Sequence, residues 1–503
     1  MRQELDAAIL READKLIKRH SAVVRQAAEY RGRYAKRTGL KPGQPASHIP
    51  DYWLIEPQFN PFYVRKRHAC LAHALDLAIR AGHYTPRPCL RSTIPKSGGG
   101  NRVLSIFTVV DSAVSFWLFK RLLDRNTQFF SSYAYAYRAD RNAHHAIEHI
   151  GRAVRGRWRL YVLEYDFSKF FDSINHAYLF GVIDRYLRVS PRERQLLDAF
   201  LKSPHAQGVE GYKAKCFQTV DVGIPQGSSL SLFLANVACL ELDRELEKTG
   251  AIFARYADDT VIICEDYATA TKAASLMLAH GDRSKVRVNF DKSSGVSLIA
   301  PVLGAEMKAK PSFDFLGHEI SSGAIAPPMK TITRMKRTLC RIIHRHLLLY
   351  PSKKLFNPAR LEPPGIDWDL VTCINELRHY LYGSKLTEQH LTGALKRELP
   401  LRSTRCAMSF LPLVDDPKRF TELDGWLANL LLRSYRRRRQ VLASIGHEAP
   451  VISREQLASG EWYKGTPICN ETKLPSAFRS WLYVRKCRNT FGLRHFPSPP
   501  YGY

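Results

Sequence analysis

The sequence predicts an α+β fold, and three observations carry that expectation. Strand and helix signals alternate from about residue 85 to 325. Pro327-Pro328 then marks a boundary, beyond which the apolar spacing is helical over Met329 to Tyr350, Asp369 to Tyr382, Glu388 to Leu399 and Phe420 to Ala443. Inside the alternating part, Tyr256-Ala257-Asp258-Asp259 lies between two short apolar runs, 251–254 and 260–264, which is the pattern of a β-hairpin.

The elements follow in order. Residues 1 to about 35 read as an amphipathic helix with Leu5, Ile9, Leu16 and Ile17 on one face. From Gly39 to Pro61 a stretch containing Pro and Gly carries Tyr52, Trp53 and Phe59, so it reads as an ordered crossing segment. Ile94 to Arg102 is a glycine-rich turn with two cations, and Leu160–Tyr165 is an apolar strand ending at Asp166. Gly223-Ile224-Pro225-Gln226-Gly227-Ser228 is a tight turn feeding an apolar helix over Leu232 to Leu246. The last eight residues, Phe496 to Tyr503, hold three prolines and are expected to form an extended tail. The predicted organisation is an N-terminal helical extension (1–84), an α+β unit (85–325), a helical unit (326–400) and a basic C-terminal extension (401–503).

Composition narrows the partners. Among 503 residues, 76 Lys and Arg face 47 Asp and Glu, a formal net charge of +29. Such an excess in a chain with ordinary apolar content points to a polyanion, most often nucleic acid. A generally basic protein, or one meeting acidic membranes, is the alternative. The ten cysteines form no C-x₂-C pair, which argues against a zinc ribbon and suits a reducing compartment. No apolar run approaches the ~20 residues of a membrane span, and the first residues lack a signal-peptide pattern. A soluble, intracellular protein with no membrane partner is expected.

The chemistry concentrates in acidic turns. Adjacent carboxylates at a hairpin turn repel each other, a poor choice for stability and a good one for holding divalent cations. Asp166, Asp258 and Asp259 at strand ends match the needs of phosphoryl transfer assisted by two Mg²⁺ ions, with Mn²⁺ as a substitute. Five residues after Asp166, Phe171 is placed to pack beneath an incoming sugar and exclude a ribose 2′-hydroxyl; the alternative is that Phe170 and Phe171 are core aromatics. Gln226 and Gly227 allow close approach to a base pair. Lys96 and Arg102 suit a triphosphate, with Arg138 as a further phosphate contact, although the turn lacks a P-loop ending. Lys292 is a candidate proton donor to departing pyrophosphate. Phe313 to His318 reads as an apolar turn able to grip a primer strand, with His318 a packing or surface residue. Arg436, Arg437, Arg438, Arg439, Arg485 and Lys486, interleaved with aromatics, suit nucleic-acid binding; a solvated basic helix face is the alternative.

In this order the segments resemble the fingers and palm of reverse transcriptases over roughly residues 85 to 325. The resemblance implies a right-hand polymerase fold, with the helical unit as thumb. It also implies that Asp166, Asp258 and Asp259 are the metal-binding catalytic carboxylates and Phe171 the sugar gate. Gln226 would contact template or nucleotide, while Lys96 and Arg102 bind triphosphate. Leu232 departs from the usual proline after the Ser of that motif. Two C-terminal blocks, 375–383 and 408–416, are similar to those of bacterial defence-associated reverse transcriptases, nearest to the branch called type nine. That branch implies antiphage enzymes with an adjacent structured noncoding RNA, deoxyadenosine-rich homopolymeric DNA products and oligomeric assembly. The expected partners are then that RNA, deoxynucleoside triphosphates and the DNA product. A group II intron-like or retron enzyme of a mobile element, or an inactive RNA-binding scaffold, are the competing readings. Tyr501 and Tyr503 in the tail are candidate protein primers, against an inert frayed terminus.

Overall fold

The computed structural model describes residues 1–43, 48–95, 100–214, 221–289, 293–300, 309–362, 366–462 and 472–497. The chain opens with helix α1 (Arg2–Thr38), 37 residues closed by Gly39 in the left-handed conformation. Its Leu5, Ala8, Ile9 and Ala13 are buried against α2 (Pro61–Ala81) and α3 (Val109–Asn126). Residues 21–26 are exposed, and the helix is anchored again at Arg37 and Thr38.

Between α2 and α3 runs a hairpin of β1 (Cys89–Pro95) and β2 (Asn101–Ile106), paired antiparallel from Leu90↔Ile106 to Pro95↔Asn101. After α4 (Ala143–Val154) comes β3 (Leu160–Tyr165), the centre of the main sheet. The short turn α5 (Phe170–Ser173), helices α6 (His176–Tyr186) and α7 (Pro191–Leu201), strand β4 (His205–Gln207) and α8 (Gly208–Ala214) follow. Helices α9 (Ser229–Ala238) and α10 (Leu240–Glu247) lead into β5 (Ile252–Tyr256) and β6 (Asp259–Cys264). Beyond α11 (Tyr267–Ser284), strands β7 (Gly295–Ile299) and β8 (Ala309–Lys310) complete a five-stranded sheet of order β5-β6-β3-β7-β8. All its pairs are antiparallel except β7 with β8.

Both faces of this sheet are covered, which explains why β3 and β6 read as nearly continuous apolar runs. Leu163, Ile262 and Phe253 face one core with α9 and α11; the alternate residues Leu160, Val162, Val261, Ile263 and Ala254 face a second with α4. That second core also takes Phe313, Phe315, Leu316 and Ile320 from a meander of β9 (Ser312–Phe315), β10 (His318–Ser321) and β11 (Ile325–Ala326). Leu316 and Gly317 both have positive φ, the type I′ geometry of a two-residue hairpin. His318 is buried, its Nδ1 within 3.1 Å of the Leu316 carbonyl, and is a packing residue.

A further core is built from α12 (Met329–Ile343), α13 (Trp368–Tyr382), α14 (Glu388–Lys396), α15 (Lys418–Ala443), α16 (Arg454–Ser459) and α17 (Ala477–Phe491). The helix expected to reach Tyr350 ends at Ile343 and passes into a wider π-turn over His344–Leu348. Arg37 of α1 reaches this turn and bonds to the Arg345 carbonyl. The end of the chain returns to the main sheet: Asn142 donates to the Leu493 carbonyl, and His144 Nε2 lies 3.0 Å from the Pro497 carbonyl. No helix among the described residues is long and apolar enough to cross a membrane.

Arg438 does not serve nucleic acid, contrary to the sequence expectation. Helical spacing from Leu431, Tyr435 and Leu442 puts it on the buried face of α15, with a fully buried side chain. Its Nε donates to Asp367 Oδ2 at 2.7 Å, its Nη2 to Asp369 Oδ2 at 3.0 Å, and its Nη1 to the Leu347 carbonyl. Arg438→Ala would leave two buried acids short of a partner, a loss of about 3–5 kcal/mol. Urea denaturation should record it, and an unchanged midpoint would contradict the assignment.

Candidate active site

The carboxylates are placed by strand register. Tyr165 pairs with Thr260 across β3 and β6, so Asp166 and Asp259 adjoin the same end of the ladder. Asp258 belongs to the turn that joins β5 to β6, where Tyr256 pairs with Asp259. The first turn residue, Ala257, is buried at φ 60°, a left-handed position that favours glycine. On the other side, Asp166 is held by Asn289 and Ser293. Its amide donates to Ser293 Oγ at 3.1 Å, its carbonyl accepts from the Asn289 amide at 2.8 Å, and Phe167 bridges Val288.

The charges of this group act on one another. Asp259 is exposed at the start of β6, with the charges of Asp258 and Asp166 acting on it. Its carboxyl is pushed up to about 7, first by lost solvation and then by the charges of Asp258 and Asp166. Lys330 pulls it down and Glu164 adds to the rise. Three acids held where they repel one another form a site a divalent cation would relieve. Among the described residues no three His, Cys, Asp or Glu side chains already form a ligand cage.

The tight turn Gly223–Ser228 is clamped between two partners. On one flank the Gly223 amide donates to the Ile174 carbonyl and the Ile224 amide to that of Phe171. On the other, the Ser105 amide of β2 donates to the Gln226 carbonyl at 2.6 Å. A β-carbon on Gly227 would lie 2.2 Å from the Ser105 carbonyl oxygen, and its φ is 132°, so this contact requires glycine. The Gln226 amide donates to Asp172 Oδ1 at 3.2 Å. Phe171 is buried with its ring edge against Phe170. The structure thus brings Phe171, Gln226 and Gly227 to one place, with Arg102 on the adjoining strand.

Arg138 is a correction. Its side chain is buried, Nε and Nη2 are forked on Asp140, and Nη1 donates to the Ser131 carbonyl. The guanidinium is spent on shaping its own loop, so it is not available as a phosphate contact. Lys96, Lys292, Tyr501 and Tyr503 lie outside the described residues. In the C-terminal extension Arg436 and Arg437 face solvent. Arg439 donates to the Ala449 carbonyl, Arg485 lies over the Trp481 ring, and Lys486 donates to the Leu395 carbonyl. The aromatics beside them, Tyr435, Trp481 and Tyr483, are buried and cannot stack on bases.

Sequence reasoning missed a stronger basic feature. Lys330, Arg334, Arg337 and Arg341 recur at four- and three-residue steps and are all exposed on the face of α12 opposite Ile332, Met335 and Leu339, with His344 one step beyond its end. The cations from Lys330 to Arg341 run about 16 Å along the helix. The first of them is close enough to Asp259 to lower its pKa and also pairs with Asp314 at 2.9 Å. Applying the helical period to charges as well as to apolar residues would have found it. Replacing Lys330, Arg334, Arg337 and Arg341 together by Ala should weaken binding of an RNA–DNA hybrid and flatten the slope of log affinity against log salt by about 3. An unchanged slope in a fluorescence anisotropy titration would remove the stripe from the interface.

Residues 94–320 match the family model described as reverse transcriptase (RNA-dependent DNA polymerase). The chain carries a reverse transcriptase domain. Protein YkfC of Escherichia coli (strain K12) is 28% identical over 280 residues, covering 46% of this chain and 70% of that protein. The group II intron-encoded protein LtrA of Lactococcus lactis subsp. cremoris is 30% identical over 169 residues, 33% of this chain and 26% of LtrA. The chain therefore spans about a quarter of LtrA. Among solved structures, apo telomerase from Candida tropicalis superposes with a TM-score of 0.39 at 13% identity, over 72% of this chain and 64% of that one. The reverse transcriptase domain contains the main sheet, the acidic turn and the glycine-rich turn, and ends in β10.

Proposed function

We propose that this chain is an RNA-directed DNA polymerase that adds deoxynucleotides to a primer hydroxyl. The observation that carries the reading is the meeting of Asp166 and Asp259 at one end of the β3–β6 ladder, with Asp258 in the adjoining turn. Asp166, Asp258 and Asp259 would hold Mg²⁺, which when bound stabilises the attacking and leaving oxygens. The chain's own parts orient the reactants. Phe171 underlies the sugar and excludes the 2′-hydroxyl, Gln226 contacts the template or nucleotide, and Arg102 faces the triphosphate. The α12 stripe follows the backbone of the duplex, and Lys96 and Lys292 are proposed for triphosphate binding and proton donation. With an RNA template and a DNA primer, the purified chain should incorporate deoxynucleotides and reject ribonucleotides. Equal use of both, or no extension, would refute the reading.

The biological setting is proposed on the resemblance of the C-terminal blocks: antiphage defence in the bacterial cytoplasm, copying a dedicated structured noncoding RNA. The identity with LtrA favours the second reading, a mobile-element enzyme. Sequencing the RNA and DNA that copurify separates them: a single noncoding RNA with complementary or homopolymeric DNA supports defence, and intron RNA supports the mobile element. A tail tyrosine is proposed as primer because Pro497 is anchored beside His144, four residues before Tyr501. Tyr501→Phe with Tyr503→Phe should then abolish protease-sensitive linkage of DNA to protein, and unchanged linkage would rule the tail out.

A further inference from the structure

Beneath the acidic turn lies Arg255, which with Arg438 is one of the two largest fully buried side chains of the described residues. Its Nε and Nη2 fork on Asp243 of α10 at 2.7 and 2.6 Å. Its Nη1 donates to Asn236 Oδ1 of α9 at 3.2 Å and to the Ala257 carbonyl at 3.0 Å. Asn236 in turn donates to the Ala136 carbonyl, and the Arg255 backbone exchanges hydrogen bonds with Tyr133 and Tyr135. One guanidinium therefore joins two helices to the turn that carries Asp258, while the backbone of the same residue ties in the 133–135 segment. A plain structural ion pair accounts for the fork on Asp243. It does not account for the donor spent on Ala257, a residue with a β-carbon held left-handed at φ 60° with no exposure. Backbone strain of this kind persists only where surrounding contacts over-determine it.

We propose that Arg255 is a positioning residue: through the Ala257 carbonyl it holds the strained turn and so fixes where Asp258 and Asp259 point. The inference rests on the polymerase reading for its catalytic consequence, but its geometric part is testable on cation binding alone. Lysine at 255 keeps the charge yet lacks the planar fork that serves Asp243 and Ala257 together. Glycine at 257 adopts positive φ without strain, so it should restore a turn that has lost its brace.

The test uses the full chain in three forms: Arg255→Lys, Arg255→Met with Asp243→Leu, and the latter with Ala257→Gly. The Met/Leu pair removes both charges and leaves no lone buried ion. Circular dichroism and the melting temperature report the fold, electron paramagnetic resonance reports Mn²⁺ binding without nucleotide, and single-nucleotide extension reports kcat and KM. The first two forms should fold, lose about 100-fold in kcat with little change in nucleotide KM, and bind Mn²⁺ about 10-fold more weakly. Ala257→Gly should recover a substantial part of both losses. Wild-type Mn²⁺ binding and kcat in a folded Arg255→Lys chain would overturn the proposal, as would a lack of recovery with glycine. Should the Met/Leu chain not fold, the Arg255→Lys form decides alone. A wild type that binds Mn²⁺ but extends no primer would fail the polymerase reading while leaving the brace to stand or fall on cation binding.

Discussion

A His280→Leu chain is expected to be more stable than the wild type by about 1–3 kcal/mol at pH 7, because a buried polar group without a partner is replaced by an apolar one of similar volume. His280 on α11 has no exposure, and neither ring nitrogen has a hydrogen-bond partner. Its neighbours are the rings of Phe167 and Tyr178, at 5.9 and 6.1 Å between centroids. Burial first, then the charges of Arg283 and Arg255, drive its pKa down to about 3. The folded chain therefore refuses a proton that the unfolded chain accepts near pH 6.5. Wild-type stability from this group is complete above that pH and falls as acid is added, until the folded group titrates. Over the window from about 6.5 to 3 the variant's advantage should widen by about 1.4 kcal/mol per pH unit. Urea denaturation of both chains at pH 7, 6 and 5 checks it; a constant difference would mean that His280 is protonated or solvated in the fold.

What the sequence disclosed depended on how local each signal is. Leu160–Tyr165 and the Asp258 hairpin were legible because burial on both faces leaves a nearly continuous apolar run and a two-residue turn leaves its own residues in view. Arg436 to Arg439 looked like one patch only because a linear run hides the helix period; Arg438 turns inward while Arg436 and Arg437 turn out. Arg138 is taken up by Asp140, two residues on, a local pairing that a search for cations facing phosphate does not reveal. The reason Gly227 must be glycine lies at Ser105. Arg255 likewise depends on Asp243, which α10 brings to it. Contacts of that kind belong to the tertiary fold, and no pattern of neighbouring residues encodes them.

Asp258→Ala combined with Asp259→Ala is expected to lower DNA synthesis by about 1,000-fold or more, since catalysis by positioned cations supplies several kcal/mol of transition-state stabilisation. The same chain should fold at least as well as the wild type. The Asp259 carboxyl is pushed up to about 7 by lost solvation and then by the charges of Asp258 and Asp166, so removing two of three mutually repelling acids relieves the fold. Opposite signs on activity and stability distinguish a catalytic cluster from a structural one, in which both would fall together. Melting curves, Mn²⁺ binding and primer extension on the double variant measure the three quantities. Should the variant keep the chain's biological effect in cells while synthesis is lost, the domain acts as an RNA-binding scaffold. Should synthesis persist, the chemistry lies elsewhere and the acidic turn is only a turn. The geometry argues against both, because a chain selected for stability alone would not place Ala257 left-handed and carboxylates side by side at the end of its central ladder.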